Sequence, residues 1–133
     1  MITARLQLRK PDKHGSGEWQ ASRGARKHNG IDYSCAEGSV ILTPVKGYIT
    51  KLGYPYGDDL SFRYVQVTDE FENDHRFFYI EPSVQKDEFV MVGDEIGVMQ
   101  NLIARYPGIN NHVHYEVKHL GEYLNPDELG DNS

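Results

Sequence analysis

The segment "NNHVHYEV", residues 110–117, alternates in the manner of a β-strand and places two of the chain's six histidines one residue apart. Strand side chains point to opposite faces in turn, so His112, His114 and Glu116 share one face while Val113, Tyr115 and Val117 share the other. The apolar set belongs to a core. The imidazoles face whatever lies opposite, either solvent or a site that uses them.

Outward from this strand, Gly, Pro, Asn and Asp punctuate a series of short apolar runs: "SVILTPVKGYITKLGYPYGDD", "FRYVQVTDEFENDHRFFYIEP" and "FVMVGDEIGVMQ". Such runs read as strands bounded by turns. The pattern predicts strands over 40–42, 47–52, 62–68, 75–80, 95–99 and 112–117. Helical turns are expected only at "LIARY" and at "PDELG", where Pro126 suits a first helical position. The expected fold is therefore mainly β and antiparallel, one domain over residues 1–133, with little helix and with long loops before residue 28 and between 100 and 111. Long loops in a compact domain commonly line a site.

Twenty acidic residues against 14 basic ones give a net charge of -6. The one basic cluster, "RGARK" (Arg23 to Lys27), has no interleaved aromatics, so DNA and RNA are excluded as expected partners. No stretch approaches the length of a membrane span, and the first residues lack the apolar core of a signal peptide. A monomer made in the cytoplasm, reaching its target in the periplasm or cell wall after release or as part of a virion, is the expectation. A single cysteine, Cys35, leaves no intrachain disulfide to form.

A metal needs more donors than two histidines of one strand, and "RKHNGIDY" supplies candidates in His28 and Asp32. Asn29-Gly30 between them is a turn signal, which favours an extended segment entered through a turn over a helix. "HNGID", "GSVILTPVKGYI", "HRFFYIEPS", "VMVGDEIG", "HVHYEV" and "GEYLNP", in this order from about Gly17 to Leu129, resemble the lysostaphin-type zinc endopeptidases that cut bacterial peptidoglycan cross-links. The resemblance implies an antiparallel β-sheet groove and a Zn²⁺ ion held by His28, Asp32 and His114. Three N or O ligands and one open position is also what catalytic zinc requires. His112 would then stand beside the metal, stabilising an oxyanion or moving a proton.

The chain departs from that family in two places. Where the family carries a second catalytic histidine in a Tyr-x-His-Leu sequence, this chain reads "YIEP", with Glu81 in the histidine's place. Glu81 either takes the proton of the attacking water, as the glutamate of His-Glu-x-x-His proteases does, or is a polar strand end left after catalysis was lost. His75 has the same strand parity but sits about 20 Å away along an extended chain. The second departure is the bulky loop "VMQNLIARYPGINN", with Arg105 and Tyr106, expected to form one groove wall. Glu116 is a candidate hydrogen-bond partner for an imidazole. Cys35 is weighed as a soft fourth ligand against the commoner fate of a small buried residue. His14 and His119 are expected at the surface, Tyr33 and Tyr79 in the core or groove, and Trp19 in contact with substrate.

The implied activity is zinc-dependent hydrolysis of peptidoglycan peptide cross-links, first the D-alanyl to diaminopimelate bond, by a phage-type lysin. The alternative is a catalytically silent module that binds peptidoglycan or activates an amidase.

Overall fold

The computed structural model of the chain describes residues 30–126, together with the backbone of two short strands, β1 (Ser22–Arg23) and β2 (Arg26–Lys27), which pair antiparallel. Ten further strands follow: β3 (Ile31–Ser34), β4 (Val40–Leu42), β5 (Gly47–Gly53), β6 (Tyr64–Thr68), β7 (Asn73–Phe78), β8 (Ile80–Pro82), β9 (Phe89–Val90), β10 (Glu95–Met99), β11 (His112–His119) and β12 (Glu122–Leu124). Every strand pair is antiparallel. The helix among the described residues is one 3₁₀ turn, Leu102–Ala104, inside the expected "LIARY" segment, with the Asn101 side chain accepting from the Ile103 N–H as a cap. No helix among the described residues is long and apolar enough to cross a membrane. The turn expected at "PDELG" lies outside the described residues beyond Pro126.

The larger sheet runs β12-β11-β7-β6-β5-β9, and β11 is its organising strand. One edge of β11 pairs along most of its length with β7. The other edge is shared: residues 112–115 pair with β3 and residues 117–119 with β12. Three strands β4-β10-β8 form a second sheet. Ile41, Ile80, Ile96 and Met99 from the second sheet and Ile49, Val65, Val67, Phe77, Val113, Tyr115 and Val117 from the first share one buried cluster. The alternation read in residues 112–117 thus sends Val113, Tyr115 and Val117 into the core as expected.

The strand expected over 75–80 is broken. Tyr79 has φ +74°, a left-handed conformation that a bulky side chain adopts at a cost of about 1–3 kcal/mol. The bend ends β7 at Phe78, and both the Tyr79 and Ile80 N–H groups donate to the Arg63 carbonyl. β8 thereby leaves the larger sheet and pairs with β10. Arg63 in this role also explains why β6 begins at Tyr64 and not at Phe62, which packs instead into a second cluster with Leu102 and Ile109. Tyr79 packs against both clusters, which offsets the strain of its backbone.

Candidate metal centre

The pairing of β3 with β11 sets Asp32 directly opposite His114, and Ser34 opposite His112. Asp32 is 1% exposed, and its carboxylate faces both imidazoles: Oδ1 lies 2.8 Å from His114 Nδ1, and Oδ2 lies 3.4 Å from His112 Nε2. Gly30 permits this approach. A Cβ at position 30 would stand 2.3 Å from the Tyr115 carbonyl oxygen and 2.9 Å from Cε1 of His114. The glycine of "HNGID" is needed for space at the edge of β11, just before that edge passes from β3 to β12.

The two histidines differ in what holds their other nitrogen. His112 Nδ1–H donates to the Asn110 carbonyl at 2.7 Å, which fixes the tautomer and points Nε2 toward Asp32. His114 Nε2 lies 3.0 Å from Oε1 of the buried Glu116, as expected from their shared strand face. Burial opposes a charge on His114, but carboxylates at both ring nitrogens outweigh it and push its pKa up to about 9. Phe78 packs on the edge of the His114 ring, with centroids 5.3 Å apart.

An imidazole nitrogen facing a carboxylate oxygen, with the imidazole's second nitrogen on another carboxylate, is a donor set that suits Zn²⁺. Among the described residues no three His, Cys, Asp or Glu side chains converge as a complete metal site. The remaining ligand implied by the sequence, His28, lies outside the described residues, as do His14 and Trp19. Cys35 packs against the core, where burial pushes its thiol up to about 11. A neutral thiol there fits the structural reading of this residue. His75 is buried in the core: its Nε2 meets Asp69 at 2.8 Å and its Nδ1 meets the Tyr115 hydroxyl at 2.6 Å. His119, expected at the surface, is half-buried, and among the described residues its Nδ1 has no hydrogen-bond partner.

Glu81 lies on β8, in the smaller sheet and two residues past the Tyr79 bend. Its side chain is exposed, and no hydrogen bond or ion pair joins it to the described residues that cluster around Asp32. The group that does stand on His112 is Tyr79, whose ring meets the imidazole edge-on at 5.8 Å. Burial pushes the Tyr79 hydroxyl up to about 12, so it stays a neutral donor. The Tyr79 hydroxyl accepts from the Tyr56 hydroxyl at 3.3 Å, and Tyr56 meets the Tyr106 hydroxyl at 2.6 Å. The Arg105 guanidinium lies 3.8 Å over the Tyr56 ring, so the bulky 100–111 loop is seated as a wall beyond His112. A cleft of about 480 Å³ past that wall is lined by Glu37, Asp59, Ser61, Gln100, Asn101 and Arg105, among others, and by none of Asp32, His112 or His114. Tyr56, in the loop between β5 and β6, had no signal in the sequence as a neighbour of this site, since it meets Tyr79 across 23 positions and Tyr106 across 50.

The model of Peptidase family M23 matches residues 26–126. Leukocyte cell-derived chemotaxin-2 of Mus musculus is 34% identical over 118 residues, covering 83% of this chain and 72% of the relative. In fold, the chain is similar to the catalytic domain of the prophage-encoded M23 protein EnpA from Enterococcus faecalis, with a TM-score of 0.71, 16% identity and coverage of 98% and 95%. It is likewise similar to the catalytic domain of lysostaphin from Staphylococcus simulans, with a TM-score of 0.64, 15% identity and 91% coverage of both. Other chains with this fold are longer: this one spans 33% of Helicobacter pylori Csd3. With the family model matched over most of its length, and with Asp32 set opposite His114, the chain belongs to peptidase family M23.

Proposed function

We propose that the protein is a zinc-dependent endopeptidase that hydrolyses peptide cross-links of bacterial peptidoglycan, first of the D-alanyl to diaminopimelate type, in the manner of a phage lysin. The observation that carries this reading is the shared carboxylate of Asp32 between His114 and His112. Asp32 and His114, with His28, would hold the metal, which when bound supplies a Lewis acid and a water of lowered pKa. His112, fixed as the Nδ1–H tautomer by Asn110, presents Nε2 as a proton acceptor toward the same point. The Tyr79 ring packs edge-on against His112 and helps to hold that imidazole in place. In this reading Glu81, a carboxylate untethered by the described residues, takes the proton of the attacking water.

The test is mass spectrometry of muropeptides released from purified Gram-negative sacculi and from a glycine-bridged wall, with zinc-loaded protein beside His112→Ala. New peptide termini produced by the intact protein and absent with His112→Ala support the reading and identify the bond. A zinc-loaded, folded protein that releases nothing from either wall overturns it.

A second reading is favoured by one specific observation, the exposure of Glu81 on a different sheet from Asp32 and the two histidines. A module that binds peptidoglycan or activates an amidase without cleaving would retain the fold and tolerate that arrangement. The mouse relative, named as a chemotaxin and not as a peptidase, is consistent with a non-hydrolytic use of the same fold. Sedimentation with sacculi in the absence of released termini would establish it.

A further inference from the structure

A line of polar side chains crosses the larger sheet from His114. The register sets Arg76 opposite Glu116 and Gln66 opposite Arg76. His114 Nε2 meets Glu116 Oε1 at 3.0 Å, and Glu116 Oε2 meets Arg76 Nη1 at 3.5 Å. Arg76 Nε–H donates to Gln66 Oε1 at 2.8 Å, and Gln66 Nε2–H donates to Thr50 Oγ1 at 3.0 Å. Glu116 is only 5% exposed, and a buried carboxylate needs partners for its oxygens. Here one oxygen is taken by the imidazole and the other by the guanidinium. Each of the four residues therefore limits the rotation of the one before it, ending at the ring of His114. Phe78 closes the ring's flank and is itself stacked on Tyr64 at 4.8 Å.

The geometry assigns to Glu116 and Arg76 the part of positioning residues for a divalent metal held by Asp32 and His114: Glu116 fixes the imidazole, and Arg76 fixes Glu116 from the neighbouring strand. The inference rests on the metal reading above. A ring whose Nε2–H is bound to a carboxylate has its Nδ1 lone pair aimed to one side and its basicity raised, and outer partners of this type typically change metal affinity about 10–100-fold. Arg76 contributes at one remove. Without it, Glu116 loses the charge that balances its burial, and its carboxylate is no longer held in one orientation against the His114 ring.

The experiment measures Zn²⁺ affinity of the full chain by competition with a chromophoric chelator, for wild type, Glu116→Gln, Glu116→Ala, Arg76→Met and Arg76→Lys. The visible spectrum of the Co²⁺-loaded forms and the melting temperature of the chelator-treated forms are recorded beside it. The expected result is a weakening of about 10–100-fold for Glu116→Ala, a smaller loss for Glu116→Gln and Arg76→Met, partial recovery in Arg76→Lys, and altered Co²⁺ bands in each weakened variant. A purely structural role would lower the metal-free melting temperature and leave the affinity and the Co²⁺ spectrum alone. Affinities of Glu116→Gln and Arg76→Met within twofold of wild type, with unchanged Co²⁺ bands, overturn the inference even if Glu116→Ala fails to fold. Failure of the wild type itself to bind Zn²⁺ removes the metal reading and this inference together. Zinc binding without muropeptide release would leave this inference standing and remove only the peptidase reading.

Discussion

Gly30→Ala should uncouple the two halves of the site. The added Cβ would sit 2.3 Å from the Tyr115 carbonyl oxygen, and real Cβ atoms essentially never approach closer than 3.0 Å, so a displacement of at least 0.7 Å (3.0 − 2.3) is required. The obstacle is backbone in the middle of a paired strand, and the next neighbour, the His114 ring, is held at both nitrogens. Neither can give way, so β3 must. Overpacking of this kind costs about 1–3 kcal/mol. Asp32 lies two residues further on, and a shift approaching 1 Å at a catalytic group can cost on the order of 100-fold. The expected outcome is a stability loss of about 3 kcal/mol with a fall in Zn²⁺ affinity of at least tenfold. Urea unfolding and chelator competition measure the two. Gly57→Ala is the control: nothing lies within 4 Å of its built Cβ and its φ is ordinary, so it should stay within about 0.5 kcal/mol. A Gly30→Ala protein with the unfolding midpoint and zinc affinity of wild type would show that β3 is not packed on β11 as described, and the Asp32–His114 pair would fall with it.

Glu81→His installs the histidine that the resemblance to the lysostaphin-type enzymes implies for this position; if position 81 serves the attacking water, muropeptide release should rise or hold while Glu81→Ala drops it at least tenfold, and equal rates for all three would remove Glu81 from the reaction. The buried His75–Asp69 pair predicts acid sensitivity. Burial holds His75 below its ordinary value despite Asp69, and, although burial opposes it, hydrogen bonds from His75, Asn73 and Phe71 hold Asp69 below the usual carboxylate range. Both folded-state values are depressed, so stability is full above about pH 6.5 and falls as pH drops, first through His75 and then, below about pH 4, through Asp69. Urea midpoints at pH 7.5, 6 and 5 should decline in wild type and decline less in His75→Gln; parallel slopes would refute the assignment. Phe77→Ala, which empties a fully buried site in the shared core, should cost about 3–5 kcal/mol by the same urea measurement, and a loss under 1 kcal/mol would mean that the two sheets do not share that core.

What the sequence disclosed follows the range of the interactions involved. The parity of residues 112–117 is a local property of strand geometry, and it placed Val113, Tyr115 and Val117 inside and joined His114 to Glu116 correctly. The extended segment expected at Asp32 is likewise found, as the strand Ile31–Ser34, while Asn29 lies outside the described residues. The opposition of Asp32 to His114 spans 82 positions and depends on register, which nothing within either segment specifies. The Arg76–Glu116 contact, 40 positions apart, is hidden for the same reason. The bend at Tyr79 runs against the intrinsic preference of an aromatic residue, and so a continuous strand over 75–80 was the natural expectation. His75 was rightly set apart from the site by distance along the chain, but its burial beside Tyr115 reflects the larger sheet's register and not its own neighbourhood.

The division of labour between the two histidines can be argued from their partners alone. Both rings turn toward Asp32, so the carboxylate does not distinguish them. Their second nitrogens do. A main-chain carbonyl, as on His112, fixes the tautomer with a neutral acceptor and leaves Nε2 able to gain and lose a proton as charge develops nearby. A buried carboxylate, as on His114, commits the ring to donate from Nε2 and makes Nδ1 the stronger electron-pair donor. The first arrangement suits a residue that moves protons, the second a residue that holds a cation. Exchanging the environments should therefore exchange the consequences: replacing Glu116 should fall on metal affinity, and replacing His112 should fall on turnover of a protein that still binds Zn²⁺. A His112→Ala protein that loses zinc to the same degree as Glu116→Ala would mean that both imidazoles belong to the metal, and that the proton-transfer role must be sought in Tyr79 or Glu81.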